Sequence, residues 1–139
     1  MLEAESCTGG MLASRLTSIS GSSMYIKGSI VTYSNEAKMK FLDVDKEILD
    51  TKGAVSPEVA KQMAEGVRKA VGSDIGVGIT GIAGHGGTDK KPVGLVYIAV
   101  AGKDNTVVKE NVFSGDRARV RYRSTQQALE MIRQYIKNK

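Results

Sequence analysis

Apolar residues recur at helical or strand spacing along most of the chain. In the first such segment, residues 11–19, Leu12, Leu16 and Ile19 are spaced as one face of a helix. After a turn of small residues, β-branched and aromatic side chains predict a strand over residues 24–34. The chain therefore opens with a helix that leads into a strand.

Helical patterns fill the next part of the chain. Short helices are predicted over residues 36–42 and 45–51, before a longer helix over residues 57–71 with a continuous apolar stripe. The start of the long helix is marked by Ser56 as its N-cap and by Pro57 at its first helical position.

Strand patterns follow, and a last helix closes the chain. A short apolar run over residues 75–79 suits a fully buried strand, and residues 93–101 and 106–113 suit an antiparallel pair. Asp116 caps the last helix, whose predicted core face is Ala118, Thr125, Leu129, Ile132 and Ile136. This order of elements predicts an α/β fold with three layers, α/β/α, around a mixed sheet.

Composition limits the class of protein. The chain of 139 residues is 41% hydrophobic and 25% charged, which is typical of one globular domain, and we predict a single domain over residues 1–139. No apolar run is long enough to cross a membrane. The single cysteine, Cys7, fits a reducing compartment, and one His and one Cys do not form a zinc site.

The net charge of +5 is concentrated near the C-terminus, where residues 117–139 contain seven Lys or Arg and one acid. This segment suits either a nucleic-acid face or a solvated helix with one or two arginines turned to a phosphate. With five Tyr, two Phe and no Trp, there is little on which to stack bases, so we favour the second interpretation. At helical spacing Arg117 and Arg121 share one face, and Arg119 and Arg123 share another.

The segment Glu5-Ser6-Cys7-Thr8-Gly9-Gly10 is a tight turn that leads into a helix. A hydroxyl at this point, on Ser6 or Thr8, suits a nucleophile or a helix cap. A serine nucleophile needs a base, and a neutral lysine is a known alternative to histidine. Lys38 is the candidate, provided that it is desolvated, and Tyr33 on the preceding strand is a candidate to share its cleft. By spacing alone, both also suit ordinary surface or strand positions.

A glycine-rich loop over residues 80–88 follows the buried strand. Gly81, Gly84 and Gly86 allow backbone N–H groups to surround an anion, although the loop matches neither the phosphate-binding nor the dinucleotide motif. The loop therefore suits either a ligand site or a plain connection.

Taken together, these motifs closely resemble the C-terminal domain of the competence/damage-inducible CinA family, whose members include stand-alone nicotinamide mononucleotide amidases. The match covers nearly all of residues 4–136. It is carried by residues 4–10, 21–23, 31–38, 53–56, 81–84, 91–94 and 115–117.

The resemblance implies a bacterial, cytoplasmic enzyme that hydrolyses nicotinamide mononucleotide to nicotinate mononucleotide and ammonia, without a metal or cofactor. It implies Ser6 as the nucleophile and Lys38 and Tyr33 as its activating partners. Thr8, Gly9 and Gly10 become oxyanion-hole candidates. We also infer that the substrate phosphate is held by the glycine loop, through Gly81, Gly84 and Gly86, together with Arg117 or Arg121. We further expect a homo-oligomer, with neither a membrane nor a nucleic acid as partner.

The chain departs from the family pattern in two ways. Family members usually have a helix and a strand before the Glu-Ser-Cys motif, and Met1–Ala4 looks too short for a central strand. We therefore expect a sheet that lacks this strand. The loop carries His85 where the family usually has proline. Two alternative functions follow: a nucleotide-binding module without catalysis, or an interaction protein that uses the basic last helix.

Overall fold

The computed structural model describes residues 1–139 and contains the following helices and strands. In chain order they are β1 (Leu2–Glu5), α1 (Met11–Thr17), β2 (Gly28–Val31), α2 (Asn35–Leu42), α3 (Lys46–Lys52), α4 (Pro57–Ala70), β3 (Gly76–Gly81), β4 (Leu95–Ala101), β5 (Thr106–Val112) and α5 (Arg117–Lys137). A single 3₁₀ turn, Ser22–Met24, lies between α1 and β2.

The five strands form one mixed sheet in the order β2-β1-β3-β4-β5. Strand β1 runs parallel to both of its neighbours, whereas β3, β4 and β5 are joined in antiparallel fashion. The expectation that Met1–Ala4 is too short for a central strand is wrong. The four residues of β1, Leu2–Glu5, suffice because the strand pairs with a neighbouring strand on each side and all four residues are buried.

Helices cover both faces of the sheet, which confirms the predicted three-layer α/β/α arrangement. On one face the strands pack against α1 and α5, through core residues that include Leu12, Ile98 and Val120. On the other face the core includes Leu2 and Met63, from β1 and α4. No helix is long and apolar enough to cross a bilayer.

Helix α4 lies unusually close to β3 because the strand presents glycine to it. A Cβ atom on Gly78 would lie 2.5 Å from the carbonyl oxygen of Ala60. The bulkier residues of β3, Val77 and Ile79, point to the opposite face. The alternation of glycine with β-branched residues thus sets the distance between sheet and helix.

Two boundaries and one buried face differ from the sequence prediction. Strand β2 spans Gly28–Val31 only, because the residues before it form the 3₁₀ turn and a loop. The prediction that Tyr33 belongs to this strand is therefore wrong, since Tyr33 lies in the connection between β2 and α2. Ile19 lies beyond the end of α1 and is exposed. The buried face of α5 is Val120, Ser124, Thr125, Ala128, Met131 and Ile132, whereas Ala118 and Ile136 are exposed because they lie near the helix ends.

The carboxyl ends of the parallel strands β1, β2 and β3 lie at one edge of the sheet. The chain leaves β1 towards β2 and returns across β1 to reach β3, so the connections diverge at this edge. Such edges of open α/β sheets form crevices in which ligands bind. The Ser6 turn and the start of the glycine loop both lie here, since they follow β1 and β3 directly.

Candidate active site

Ser6 follows β1 directly and lies between the ends of two other strands. Its backbone N–H donates to the carbonyl of Ile79 on β3. On the side of β2, the N–H of Thr32 donates to the carbonyl of Glu5, the residue before Ser6. Ser6 is 9% exposed. The sheet therefore fixes its backbone, while its side chain borders a cleft.

The amine of Lys38 lies 3.1 Å from the hydroxyl oxygen of Ser6. Lys38 belongs to the first turn of α2, which Ser34 caps by accepting a hydrogen bond from the backbone N–H of Ala37. A second hydrogen bond, of 2.7 Å, runs from Lys38 Nζ to the carbonyl oxygen of Thr32. The structure thus brings together the serine and the lysine that the sequence singled out.

The environment of Lys38 favours its neutral amine. The residue is 1% exposed and forms no salt bridge with a carboxylate. Burial is the main cause that lowers the pKa of Lys38 below its ordinary value, and the neighbouring Cys7 opposes this shift. A lysine with a lowered pKa and a serine hydroxyl within hydrogen-bond distance can serve as base and nucleophile.

The carboxylate of Glu5 organises the turn that carries Ser6. It accepts hydrogen bonds from the hydroxyl of Thr8 at 2.6 Å and from the backbone N–H groups of Leu12 and Ala13 at 2.9 and 3.0 Å. Glu5 thereby satisfies donors at the start of α1 that a helix cannot satisfy by itself. No role was predicted for Glu5 from the sequence, although an acid close before a helix is a recognisable signal.

Some of the predicted oxyanion donors already donate to an acceptor in the protein, and others are free. The Thr8 hydroxyl is committed to Glu5, and the Gly9 N–H donates to the Ser6 carbonyl. The backbone N–H groups of Cys7, Thr8 and Gly10 have no acceptor within the protein. Free donors therefore precede and follow Gly9 in the turn, and those of Cys7 and Thr8 are nearest to Ser6 in the chain.

Tyr33 and Arg117 are joined across the mouth of the cleft. A guanidinium nitrogen of Arg117 donates to the Tyr33 hydroxyl at 2.9 Å. Both residues line the cleft together with Ser6 and Lys38, as does His85 from the glycine loop. Tyr33 is 64% exposed, so its hydroxyl is accessible from the solvent side of the cleft.

Arg121 lies one helical turn after Arg117 but contacts a different part of the site. Its guanidinium donates to the carbonyl oxygens of Cys7 and Thr8, at 3.1 and 3.0 Å. The predicted shared face of Arg117 and Arg121 is thus confirmed by their common direction towards the site. Arg119 is exposed, and Arg123 donates to Ser114 outside the cleft.

The glycine loop forms one wall of the cleft. Gly81 ends β3, and a Cβ atom on Gly84 would lie 3.1 Å from a guanidinium nitrogen of Arg117. Gly86 has a φ of 90°, which favours glycine. The backbone N–H groups of residues 83–87 have no acceptor within the protein. Of the predicted ligand residues in this loop, Gly81 lines the cleft and Gly84 lies beside Arg117, whereas neither Gly84 nor Gly86 lines the cleft.

The cleft has a volume of ≈ 240 Å³, below the roughly 300 Å³ at which pockets for drug-sized ligands begin. Sequence reasoning gave no role to several other wall residues: Asn35, Ala54, Val55 and Thr80. Among these, Thr80 is buried and donates its hydroxyl to the Ala54 carbonyl, so it holds two walls together.

Comparison with known proteins gives a consistent family. A relative from Moorella thermoacetica, named as a competence-damage inducible protein, is 58% identical over 130 residues. The match covers 93% of this chain and 31% of the relative. A CinA-like protein from Syntrophomonas wolfei is 53% identical over 136 residues, covering 97% of this chain and 33% of the relative. The chain thus spans about a third of the length of these curated relatives.

Solved structures share the fold. The competence/damage inducible protein CihA from Agrobacterium tumefaciens matches with a TM-score of 0.92 and 42% identity, over 94% of this chain and 81% of that one. A competence-damaged protein (CinA) superfamily protein from Escherichia coli matches with a TM-score of 0.92 and 36% identity, over 96% of this chain and 78% of that one. The family model of the CinA C-terminal domain matches residues 1–136. The chain therefore belongs to the CinA C-terminal domain family.

Proposed function

We propose that this domain is an amidohydrolase that cleaves the carboxamide of nicotinamide mononucleotide, with Ser6 as nucleophile and Lys38 as base. The observation that carries the proposal is the 3.1 Å contact between the Lys38 amine and the Ser6 hydroxyl in a buried setting. A protonated lysine could not accept the hydroxyl proton, and burial favours the neutral amine.

Acylation needs one proton acceptor and one donor. Ser6 Oγ attacks the carboxamide carbon while Lys38 takes the hydroxyl proton. The tetrahedral intermediate then collapses: the C–N bond breaks, Lys38 returns the proton to the leaving nitrogen, and ammonia departs. The substrate is left as an ester of Ser6.

Deacylation repeats these steps with water. Lys38 takes a proton from a water molecule whose oxygen attacks the ester carbon, and the proton passes to Ser6 Oγ as the ester C–O bond breaks. The product is nicotinate mononucleotide. The Thr32 carbonyl accepts a hydrogen bond from Lys38 Nζ and so holds the amine near Ser6 throughout the cycle.

The charge on the intermediate needs hydrogen-bond donors. The free N–H groups of Cys7 and Thr8 are the best-placed candidates, because they follow Ser6 directly and have no acceptor in the protein. Gly10 supplies a third free N–H further along the turn. The N–H of Gly9 is already used, which argues against it as a donor to the substrate.

The phosphate of the substrate requires a positive site at the open edge of the cleft. Arg117 lines the cleft and lies beside Gly84, whose backbone N–H is unpaired within the protein. A guanidinium next to such an N–H group is suited to a phosphate. Tyr33 orients this guanidinium through their 2.9 Å hydrogen bond.

The experiment is to measure ammonia released from nicotinamide mononucleotide by the purified chain, together with Ser6→Ala and Lys38→Arg variants of equal thermal stability. We expect release by the wild type and a loss of at least about 10³-fold in each variant, as is usual when a nucleophile or its base is removed. A folded wild type that binds the nucleotide in calorimetry without releasing ammonia would instead identify a nucleotide-binding module.

A further inference from the structure

Residues 6–10 form the turn that carries Ser6, here called the nucleophile turn. Among the polar side-chain contacts to this turn, those of Arg121 span the largest separation in sequence. Arg121 Nε donates to the Cys7 carbonyl across 114 positions of sequence, and its Nη2 donates to the Thr8 carbonyl. The approach is close: a Cβ atom on Gly9 would lie 3.3 Å from Nη2, and the φ of Gly9 is +59°. One guanidinium thus holds two consecutive peptide groups in a turn that only glycine fits easily.

We propose that Arg121 is a positioning residue that orients and polarises the Thr8 N–H as an oxyanion donor, and that it is not a phosphate ligand. This inference rests on the proposed function. The Cys7 carbonyl and the Thr8 N–H belong to one planar trans peptide, so they point in opposite directions. With the carbonyl bound to Arg121, the free N–H of Thr8 faces away from the arginine.

A charged donor on the carbonyl also strengthens the N–H at the other end of the same peptide. Hydrogen bonds in such a chain polarise one another, and charge-assisted bonds are stronger than neutral ones. The stabilisation matters most when negative charge develops on the substrate oxygen, which is the definition of a catalytic rather than a binding effect. Loss of Arg121 should therefore lower kcat more than it raises KM.

The competing role, phosphate binding, fits Arg121 less well than Arg117. Arg121 uses Nε and Nη2 on the carbonyls, whereas Arg117 makes one hydrogen bond, to the Tyr33 hydroxyl, and lines the open cleft. The two arginines lie one turn apart on α5, so a single helix would carry one residue for the phosphate and one for the oxyanion donor.

The test compares two substrates that differ only in the phosphate: nicotinamide mononucleotide and nicotinamide riboside. We expect Arg121→Gln to lower kcat by about tenfold or more for both substrates, since removal of an oxyanion donor itself costs roughly 10²- to 10³-fold. Arg121→Lys should recover little of this loss, because an ammonium cannot reproduce the planar two-carbonyl contact. Arg119→Gln, at an exposed position on the same helix, is the matched control and should behave as wild type.

A rise in KM confined to the mononucleotide would overturn the proposal, because it would identify Arg121 as a phosphate ligand. Full recovery by Arg121→Lys would also overturn it, since charge alone would then suffice. Addition of guanidinium ion to Arg121→Ala provides a further readout: we expect partial recovery of kcat, which a merely misfolded variant would not show.

A second measurement separates this proposal from the proposed function. A fluorophosphonate reacts with serine nucleophiles: Ser6 Oγ forms a bond to phosphorus, Lys38 takes the proton, and fluoride leaves. If neither amide substrate is hydrolysed, the proposed function fails, but the labelling rate still reports on Arg121. We expect labelling at least tenfold slower in Arg121→Gln than in Arg119→Gln. Equal rates, or an unlabelled wild type, would overturn the positioning role.

Discussion

Lys38 Nζ and Ser6 Oγ lie 3.1 Å apart although 32 positions separate the two residues in sequence. The contact is built by three elements that meet at one edge of the sheet: β1 leads to Ser6, β2 leads to the Thr32 carbonyl, and α2 carries Lys38. Since the pair is buried, its chemistry depends on the charge state of the amine.

This charge state predicts the pH dependence of activity. Burial lowers the pKa of Lys38, so kcat/KM for amide hydrolysis should rise with pH as the amine loses its proton. The apparent pKa of that rise should lie below the roughly 10.4 of a free lysine. A profile that is flat from mild acid to pH 9, with the protein still folded, would remove Lys38 as the base.

The hydrogen bond between Tyr33 and Arg117 predicts coupling between the two side chains. Tyr33→Phe and Arg117→Gln should each raise KM for nicotinamide mononucleotide. The loss of binding free energy in the double variant should be about 1 kcal/mol smaller than the sum of the two single losses, because both single variants remove the same hydrogen bond. Steady-state kinetics of the four proteins would measure this, and strictly additive effects would contradict the prediction.

Cys7 should be unreactive in the native protein although it is next to Ser6, the proposed nucleophile. The residue is 6% exposed, and burial raises the pKa of its thiol to about 11. A backbone hydrogen bond at Cys7 and then the charges of Arg117, Arg121 and Lys38 oppose this rise, with smaller effects. Iodoacetamide at pH 8 should alkylate the thiol only after unfolding, since the thiolate is the reactive form. Mass spectrometry with and without urea gives the readout, and rapid alkylation of the folded chain would contradict it.

The burial of Glu3 predicts that the free energy of unfolding decreases as pH rises. The residue is fully buried, and neither carboxyl oxygen has a hydrogen-bond partner. Burial, and then the charge of Glu5, raise the pKa of Glu3 from 4.5 to about 7. Between these values the folded protein keeps a proton that the unfolded chain has released, so the free energy of unfolding falls as pH rises through this window.

Glu3→Gln should remove this dependence. Relative to wild type, the variant should gain stability between pH 5 and pH 8, by at most roughly 3 kcal/mol. Urea unfolding at the two pH values measures the difference, with Glu36→Gln at an exposed helix position as control. The same stability difference from wild type at both pH values would show that Glu3 does not titrate in this range.

The close approach of α4 to β3 predicts the effect of a single methyl group. Gly78→Ala would place a Cβ atom 2.5 Å from the Ala60 carbonyl oxygen and 2.7 Å from the Ala64 nitrogen. Since both are backbone atoms, the helix must move, at an expected cost of about 1–3 kcal/mol. In Gly28→Ala the new atom would meet only the end of the Leu2 side chain, so denaturant unfolding should show a smaller loss.

Local patterns predicted most of the elements because their causes are local. The caps at Ser56 and Asp116 accept the hydrogen bonds that the sequence led us to expect. The predicted apolar stripe of α4 is buried at Val59, Met63 and Val67, whereas its last members, Ala70 and Val71, are exposed at the helix end. Helix starts and amphipathic faces depend on residues within one or two turns, so the sequence carries the information directly.

Strand β1 and the buried face of α5 could not be predicted in the same way. The expectation that the N-terminal segment is too short for a central strand was wrong, because Leu2–Glu5 is stabilised by a partner strand on each side. Neither partner strand is near Leu2–Glu5 in sequence. For α5, the helical period allowed several faces, and the position of the sheet selected the one with Val120. Both outcomes depend on where distant segments pack.

The sequence by itself determined the α/β class, the family and the residue types of the site, because these depend on order, spacing and motif. Only the tertiary structure decided that the Lys38 amine reaches Ser6, that Glu5 ties down the turn, and that Arg121 binds carbonyls while Arg117 faces the cleft. The physical reason is that contact distance, burial and the pKa values that follow from them are set by packing between segments far apart in the chain, and no local pattern encodes that packing.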